Sequence, residues 1–168
     1  KDFTFVGGSA LAVHLKHRLS EDLDFFTWNE RIPLSRIRKS LQEAGFNKIS
    51  ASEMTSAQLN IVADGVNITF FAEQRDMLKE RMPLLEYLYI ANLSTITVMK
   101  INTLFVRAKF RDYYDLYVIN KEVFSLEEMY ILAAKHIPDI TKRLFQKALI
   151  FTGDIVPEDM SHLELNYN

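Results

Sequence analysis

Two aspartates separated by one leucine are the residues of this 168-residue chain whose types and spacing first suggest chemistry. Asp22 and Asp24 lie in a segment typical of a β-strand, where alternate side chains point to the same face, about 6.5 Å apart along the backbone. Two such carboxylates repel each other unless a cation or a proton lies between them. Oxygen ligands at this spacing suit Mg²⁺. The pair indicates a divalent-metal site; the alternative interpretation is the polar face of an edge strand.

A glycine-rich turn precedes the aspartates. Gly7, Gly8 and Ser9 follow a predicted strand at 3–6 and lead into a predicted helix at 10–16. Gly8 allows close approach of the backbone to a ligand, and the start of a helix presents N–H groups and a positive dipole end to an anion. We therefore expect a phosphate-binding turn, with Ser9 as the helix N-cap. Plain turn chemistry is the alternative.

Basic residues recur in the second half of the chain. If residues 95–115 form one helix, steps of three and four residues place a stripe on one face: Lys100, Leu104, Arg107, Arg111 and Asp115. Such a stripe can bind triphosphate oxygens and steady a leaving pyrophosphate. The alternative is that the arginines pair with Asp112 and Asp115 and pin two helices together. Lys100 lies in an apolar run, so its ammonium must reach solvent or an anion.

The order of the predicted elements indicates an α+β fold. Apolar periodicity, caps and turn residues predict strands at 3–6, 22–26, 58–62, 66–72 and 85–91, and helices at 10–16, 33–45, 95–108, 112–119, 127–136 and 139–151. Asp64-Gly65 is a hairpin signal. We expect a sheet core over 1–91 and a helical half over 92–168, packed together as one compact unit.

Composition excludes several classes of protein. The chain has no cysteine, a formal charge of −2 and 48% hydrophobic residues, so a disulfide scaffold, thiolate metal sites and a global attraction to polyanions are excluded. No apolar run reaches the length of a membrane span, and we expect a cytoplasmic protein without a membrane partner. Because the chain begins at Lys1 and enters a strand almost at once, we expect residues upstream of it.

The two motifs together resemble a known superfamily. Gly8-Ser9, twelve intervening residues and Asp22-Leu23-Asp24 resemble the signature of the polymerase-beta-like nucleotidyltransferases, and VGGSALAVHLKHRLSEDLDFF resembles its AbiEii/AbiGii toxin branch. Met99-Lys100, Arg107 and the run KFRDYYDL at 109–116 are similar to a later motif of that branch. The resemblance covers most of residues 3–119 and nothing in the C-terminal 50 residues.

The resemblance implies a fold, an activity and a set of site residues. It implies a nucleotidyltransferase-like mixed β-sheet with flanking helices, and a toxin of an abortive-infection or toxin–antitoxin system. Its cofactor would be Mg²⁺ or Mn²⁺ and its substrate an NTP, with RNA such as tRNA, or a protein, as acceptor and a cognate antitoxin as partner. The implied residues are Asp22 and Asp24 for the metal, Gly8, Ser9, Lys100, Arg107 and Arg111 for the nucleotide, and Asp22, Asp24, Lys100 and Asp112 for catalysis.

One position departs from the superfamily pattern. A third carboxylate is expected on a later strand, yet the predicted strand at 66–71 has no acid, and Thr69 occupies the place. Either Asp112 substitutes, or one well-held metal suffices, or the protein binds nucleotide without transferring it. The alternative function is therefore a catalytically silent nucleotide-binding or interaction module of the same fold. A metal-dependent hydrolase is a third interpretation, which leaves the glycine turn and the basic stripe without a role.

Overall fold

The computed structural model describes residues 2–73, 79–107, 109–153 and 155, apart from the side chains of residues 52 and 53. The chain divides into two compact units. The sheet unit comprises residues 1–10 and 20–92, and the helical unit comprises residues 11–19 and 93–168.

Among its described residues the sheet unit has seven strands: β1 Thr4–Val6, β2 Leu23–Thr27, β3 Ile49–Met54, β4 Gln58–Ala63, β5 Val66–Ala72, β6 Arg81–Leu85 and β7 Leu88–Ala91. Their spatial order is β3-β4-β5-β2-β1-β7-β6. The pairs β1/β7 and β2/β5 are parallel and the other neighbours are antiparallel, so the sheet is mixed. This confirms the α+β class expected from the sequence.

The described part of the chain also has six helices: α1 Gly7–Leu15, α2 Leu34–Glu43, α3 Leu93–Leu104, α4 Phe110–Glu122, α5 Leu126–His136 and α6 Lys142–Ile150. The two helices predicted at 95–108 and 112–119 correspond to α3 and α4. Because α3 ends at Leu104 and α4 begins at Phe110, residues 95–115 are not one helix, and the condition for the predicted stripe is not met. Ala108, the expected end of the third helix, lies outside the described residues. No helix in the described ranges is long and apolar enough to cross a membrane.

One face of the sheet unit is an apolar layer under α2. The layer is formed by alternate residues of β4 and β5 together with one α2 side chain: Leu59, Ile61, Ala63, Ile68, Phe70 and Ile37. Leu23 and Phe25 pack against it. Because side chains of a strand alternate, Asp24 on β2 and Thr69 on β5 lie on the opposite face of the sheet. Burying the apolar face thus fixes which face presents the polar side chains.

The β4–β5 hairpin turns at Asp64-Gly65, as the sequence predicts. Both residues have positive φ, 47° and 90°, the backbone conformation of a type I′ turn. The carboxylate of Asp64 accepts hydrogen bonds from the backbone N–H groups of Asn47 and Lys48, at 3.1 and 2.7 Å. The turn therefore also anchors the segment that enters β3.

The helical unit has its own buried apolar residues. Each of its long helices contributes to them: Ile96, Val98, Ile101, Leu116, Val118, Ile119, Met129, Ala133 and Phe145. The start of α5 is a capping box, in which the Ser125 hydroxyl accepts from the Glu128 N–H and the Glu128 carboxylate accepts from the Ser125 N–H.

Candidate active site

The turn from β1 into α1 contacts the second aspartate. Gly7 is the first residue of α1 and has a φ of +76°, which L side chains rarely adopt. A Cβ atom placed on Gly7 would lie 2.2 Å from Oδ2 of Asp24. Both the backbone conformation and the space therefore require glycine here. The glycine turn and the aspartate strand lie against each other in the sheet unit.

Ser9 ties the same turn to the first aspartate. It is the third residue of α1, so the prediction that it caps the helix is wrong. Its side chain is buried, and its hydroxyl donates a hydrogen bond to the backbone carbonyl of Asp22. Gly8 lies between Gly7 and Ser9 in the first helical turn, where backbone N–H groups have no acceptor within the helix.

The neighbouring strand β5 presents neutral side chains to the aspartates. Asp24 is in register with Val6 on β1 and with Thr69 on β5. Two residues earlier on β5, the Asn67 amide donates a 3.0 Å hydrogen bond from Nδ2 to Oδ1 of Asp22. The position expected for a third acid is therefore a threonine, in direct register with Asp24.

The oxygen donors of this face fit a hard divalent cation. Mg²⁺ is commonly held by one or two carboxylates and completes its shell with water and substrate phosphates, which is the donor set that Asp22 and Asp24 offer. Within the part of the chain that the structure describes, no group of three His, Cys, Asp or Glu side chains is placed to hold a metal. The site therefore fits a metal that arrives with further ligands.

The helical unit holds a buried charge cluster built on α3 and α4, which we call the charge clasp: His17, Arg18, Lys100, Asp112 and Asp115. The Lys100 ammonium lies 2.9 Å from Oδ1 of Asp112 and 2.6 Å from Oδ2 of Asp115. Lys100 is 7% exposed and both aspartates are fully buried. The sequence left open whether the Lys100 ammonium reaches solvent or an anion. In the structure it reaches an anion, and the protein itself supplies that anion as Asp112 and Asp115.

Asp115 is the most heavily paired member of the clasp. Arg18 donates to both of its carboxylate oxygens, from Nε at 2.7 Å and Nη2 at 2.9 Å, and His17 Nε2 lies 2.8 Å from Oδ1. Burial alone would raise the pKa of Asp115, but the hydrogen bonds of His17 and Arg18 and the charges of Lys100 and Arg18 lower that pKa well below its ordinary value. Asp115 is therefore a permanent buried anion at neutral pH.

The predicted nucleotide-binding arginines lie beside this clasp. Arg107 follows α3, its side chain is 53% exposed, and its Nε lies 3.8 Å from Oδ2 of Asp112. That oxygen has no hydrogen-bond partner among the described residues. Arg111 is the second residue of α4 and is partly buried. Arg107 is thus the cation of this group that solvent reaches most readily.

Sequence reasoning missed four residues of these two clusters. Gly7 was passed over in favour of Gly8, because a glycine pair does not reveal which member carries the positive φ. Asn67 was missed because its amide is uncharged, and a single polar residue on a strand does not by itself indicate a site. The pairing of His17 and Arg18 with Asp115 was missed because Asp115 is about a hundred residues away along the chain, although the spacing of His14 and His17 had marked His17 as a residue flanking the end of the first helix.

Solved structures share the mixed sheet and flanking helices of this chain. MenT4, a nucleotidyltransferase toxin from Mycobacterium tuberculosis H37Rv, matches with a TM-score of 0.60 and 15% identity over 95% of this chain and 67% of its own. JHP933 from Helicobacter pylori matches with a TM-score of 0.55 and 21% identity, over 89% of this chain and 80% of its own. The expected nucleotidyltransferase-like fold is confirmed.

The family match is more specific. Residues 1–82 match the model described as nucleotidyl transferase AbiEii toxin, type IV toxin–antitoxin system. The resemblance to this family that the sequence shows is therefore confirmed over residues 1–82, and the match supports the nucleotidyltransferase class of enzyme. An uncharacterized protein of Aquifex aeolicus (strain VF5) is 28% identical over 172 residues, which cover 97% of this chain and 80% of that protein.

Proposed function

We propose that this protein is a metal-dependent nucleotidyltransferase toxin that moves a nucleotide from an NTP to an RNA such as tRNA, or to a protein. The observation that carries the proposal is the contact between Gly7 and Asp24, where a Cβ atom would lie 2.2 Å from the carboxylate. This contact supports the proposal because it joins the start of a helix, which can bind phosphate, to a carboxylate, which can bind a metal. Nucleotide chemistry needs these two features next to each other.

In this proposal Asp22 and Asp24 hold Mg²⁺ or Mn²⁺. A divalent ion there neutralises phosphate charge and orients the substrate. The backbone N–H groups of Gly8 and Ser9 bind phosphate oxygens at the positive end of the α1 dipole. Ser9 keeps its hydroxyl on the Asp22 carbonyl, so the turn and the aspartate strand stay in one geometry as substrate binds.

The basic residues of the helical unit are proposed to neutralise the triphosphate. Arg107 is the strongest candidate because its side chain is half exposed and its pairing with Asp112 is loose. Arg111 supports it from the first turn of α4. Lys100 contributes charge while bound between Asp112 and Asp115. The acceptor hydroxyl oxygen bonds to the α-phosphorus, the bond from that phosphorus to the β-phosphate oxygen breaks, and pyrophosphate leaves with the electron pair.

The hydroxyl proton needs a base, and Asp112 is proposed for that role. Its Oδ2 accepts no hydrogen bond from a described residue and lies 3.8 Å from Arg107 Nε. A carboxylate oxygen that accepts no hydrogen bond can accept a proton. The other oxygen of Asp112, Oδ1, accepts a hydrogen bond from Lys100. Asp112 is thus the acid proposed for the role of base, since β5 has Thr69 where a third carboxylate is expected.

The description of the matching family supports the biological part of the proposal. We infer a toxin that acts in the cytoplasm, where NTPs and RNA are available, that is restrained by a cognate antitoxin, and that serves toxin–antitoxin or abortive-infection defence.

A second candidate is a catalytically silent nucleotide-binding module. The observation in its favour is the register of Asp24 with Thr69, which leaves two acids on the proposed metal face. Such a module would bind NTP with a metal and transfer nothing.

Incorporation of label distinguishes the two candidates. Each α-labelled NTP is incubated with the protein, Mg²⁺ and total RNA, with Asp24→Ala as the test variant and Glu43→Gln as the matched control. Glu43 is an exposed acid on α2, 3.7 Å from Lys39. Label in RNA or protein that Asp24→Ala abolishes and Glu43→Gln preserves supports transfer. NTP binding without incorporation into any acceptor would favour the silent module, and release of nucleoside monophosphate alone would indicate a hydrolase.

A further inference from the structure

Asn67 contacts one of the two proposed metal-binding carboxylates. Its Nδ2 donates to Oδ1 of Asp22 at 3.0 Å. Asn67 lies on β5 and Asp22 immediately precedes β2. The β2/β5 register pairs Leu23 with Ile68 and Asp24 with Thr69, so it brings Asp22 next to Asn67. The contact is therefore fixed by sheet pairing, rather than by a flexible loop.

The position of Asn67 on β5 is determined by the core. Ile68 and Phe70 are buried in the apolar layer under α2, so Asn67 and Thr69, their alternating neighbours, share the other face. Asn67 is exposed, and the apolar layer that its neighbours build does not need an amide there. The Asn67 side chain takes no part in this packing but donates a hydrogen bond to Asp22. This contact suggests that Asn67 orders the Asp22 carboxylate.

The chemistry of the amide suits such a role. A carboxylate at the end of a strand samples several rotamers, and a donor held on the adjacent strand restricts it to one. An asparagine does this without adding negative charge. An aspartate at the same position would add a third like charge beside Asp22 and Asp24 and repel them in the absence of metal.

We propose that Asn67 is a positioning residue of the metal site: it orients the Asp22 carboxylate so that Asp22 and Asp24 together bind one divalent cation. The inference rests on the proposed function, because it assumes that these two aspartates bind the metal. Hydrogen-bond partners of metal-ligating carboxylates typically change metal affinity by about 10–100-fold when removed. The same range is expected here.

The experiment measures Mn²⁺ binding directly, on the full chain, by electron paramagnetic resonance of the free ion. It is done with Mn²⁺ alone and with Mn²⁺ plus inorganic triphosphate, so no base has to be chosen. The variants are Asn67→Ala and Asp24→Ala, with Asn47→Ala as the matched control. Asn47 also has an exposed amide that donates one hydrogen bond, to the Gly45 carbonyl at 3.1 Å.

We expect Asn67→Ala to weaken Mn²⁺ binding about tenfold or more, while Asn47→Ala leaves it unchanged. Wild-type affinity in Asn67→Ala, with Asp24→Ala abolishing binding, would overturn the inference and leave the proposed metal site standing. Absence of Mn²⁺ binding by the wild-type protein in both conditions would overturn the proposed metal site and this inference with it.

A double variant tests whether Asn67 acts through Asp22. In an Asp22→Ala background, removing the Asn67 amide is expected to change the remaining Mn²⁺ affinity no further. If Asn67→Ala weakens binding equally in both backgrounds, the amide acts on the ion independently of Asp22, and the positioning role is overturned. Thermal unfolding of each variant confirms that the folded protein is compared.

Discussion

Arg18 and Asp115 form a two-pronged buried ion pair, with Nε to Oδ1 at 2.7 Å and Nη2 to Oδ2 at 2.9 Å. The two residues are separated by most of the chain, yet both belong to the helical unit. Planar, paired hydrogen bonds of this kind are the strongest form of an Arg–carboxylate contact. The pair fixes the segment between α1 and the aspartate strand to α4.

Loss of the Asp115 charge is expected to destabilise the protein strongly. Asp115→Asn keeps the shape of the side chain but leaves Arg18 and Lys100 buried with one anion instead of two. Breaking a buried ion pair from one side costs about 3–5 kcal/mol, which urea unfolding measures. The matched control is Glu127→Gln, which removes an exposed pair with Lys142 and is expected to cost less than about 1 kcal/mol. Equal effects of the two variants would contradict the importance of the charge clasp.

The same carboxylate predicts a dependence of stability on pH. The pKa of Asp115 in the folded protein lies well below its ordinary value of 3.8. A lowered pKa means that the stabilisation is fully present above the ordinary value and is lost as the pH falls below it. We expect the difference in free energy of unfolding between wild type and Asp115→Asn to be constant above about pH 5 and to shrink below about pH 4. A difference that stays constant down to the acid transition would argue against the lowered pKa.

Gly7→Ala is expected to abolish transfer while Gly65→Ala preserves it. Both glycines have positive φ, +76° and +90°, so alanine costs roughly 1–2 kcal/mol of backbone strain at either position. Only at Gly7 would the new Cβ meet a site residue, Asp24 Oδ2, whereas nothing lies within 4 Å at Gly65. The comparison therefore separates crowding of the site from strain. Label incorporation measures the transfer activity of each variant, and thermal unfolding measures its stability. Equal activity of the two variants would contradict the importance of the Gly7–Asp24 contact for transfer.

Arg107→Ala is expected to weaken NTP binding without a large loss of stability. The side chain is 53% exposed and its pairing with Asp112 is long, at 3.8 Å, so its removal disturbs the fold little. A hydrogen bond to a charged group contributes about 1.5–3 kcal/mol, which corresponds to about a tenfold or greater rise in Kd. Arg143→Ala, at an exposed arginine of α6, is the control. Equal Kd values for the two variants would remove Arg107 from the proposed nucleotide site.

The parts of the fold that the sequence predicted have strong local patterns. The alternation that puts Leu23 and Phe25 in the apolar layer and Asp24 on the other face is a two-residue period, and the structure has it. The β4–β5 hairpin was also predicted from a local pattern, the dipeptide Asp64-Gly65 at its turn. Such signals depend only on neighbouring residues, so a single sequence carries them.

Two strands were missed because they are the edges of the sheet. β3 and β6 end the strand order and pair on one side only. Their exposed sides allow polar residues, and Pro83 of β6 can occupy an edge, where a lost N–H is tolerated. Their sequences therefore lack the apolar run by which the central strands were recognised.

The charge clasp was beyond sequence reasoning for a different reason. The arginines near Asp112 and Asp115 suggested pairs within one helix, but the partners of Asp115 include Arg18, 97 residues earlier. A long-range pairing leaves no periodic trace in a single sequence. Likewise, the end of α3 at Leu104 breaks the expected stripe, although apolar periodicity alone would have extended the helix.

The position of the label in the NTP tests the central claim most directly. One reaction contains NTP labelled at the α-phosphate and the other NTP labelled at the γ-phosphate, with Mg²⁺ and total RNA in both. The proposed attack on the α-phosphorus predicts that α-label enters the acceptor, that γ-label is released as pyrophosphate, and that Asp24→Ala loses both signals while Glu43→Gln keeps them. Transfer of γ-label to the acceptor, or α-label incorporation that survives Asp24→Ala, would contradict the account.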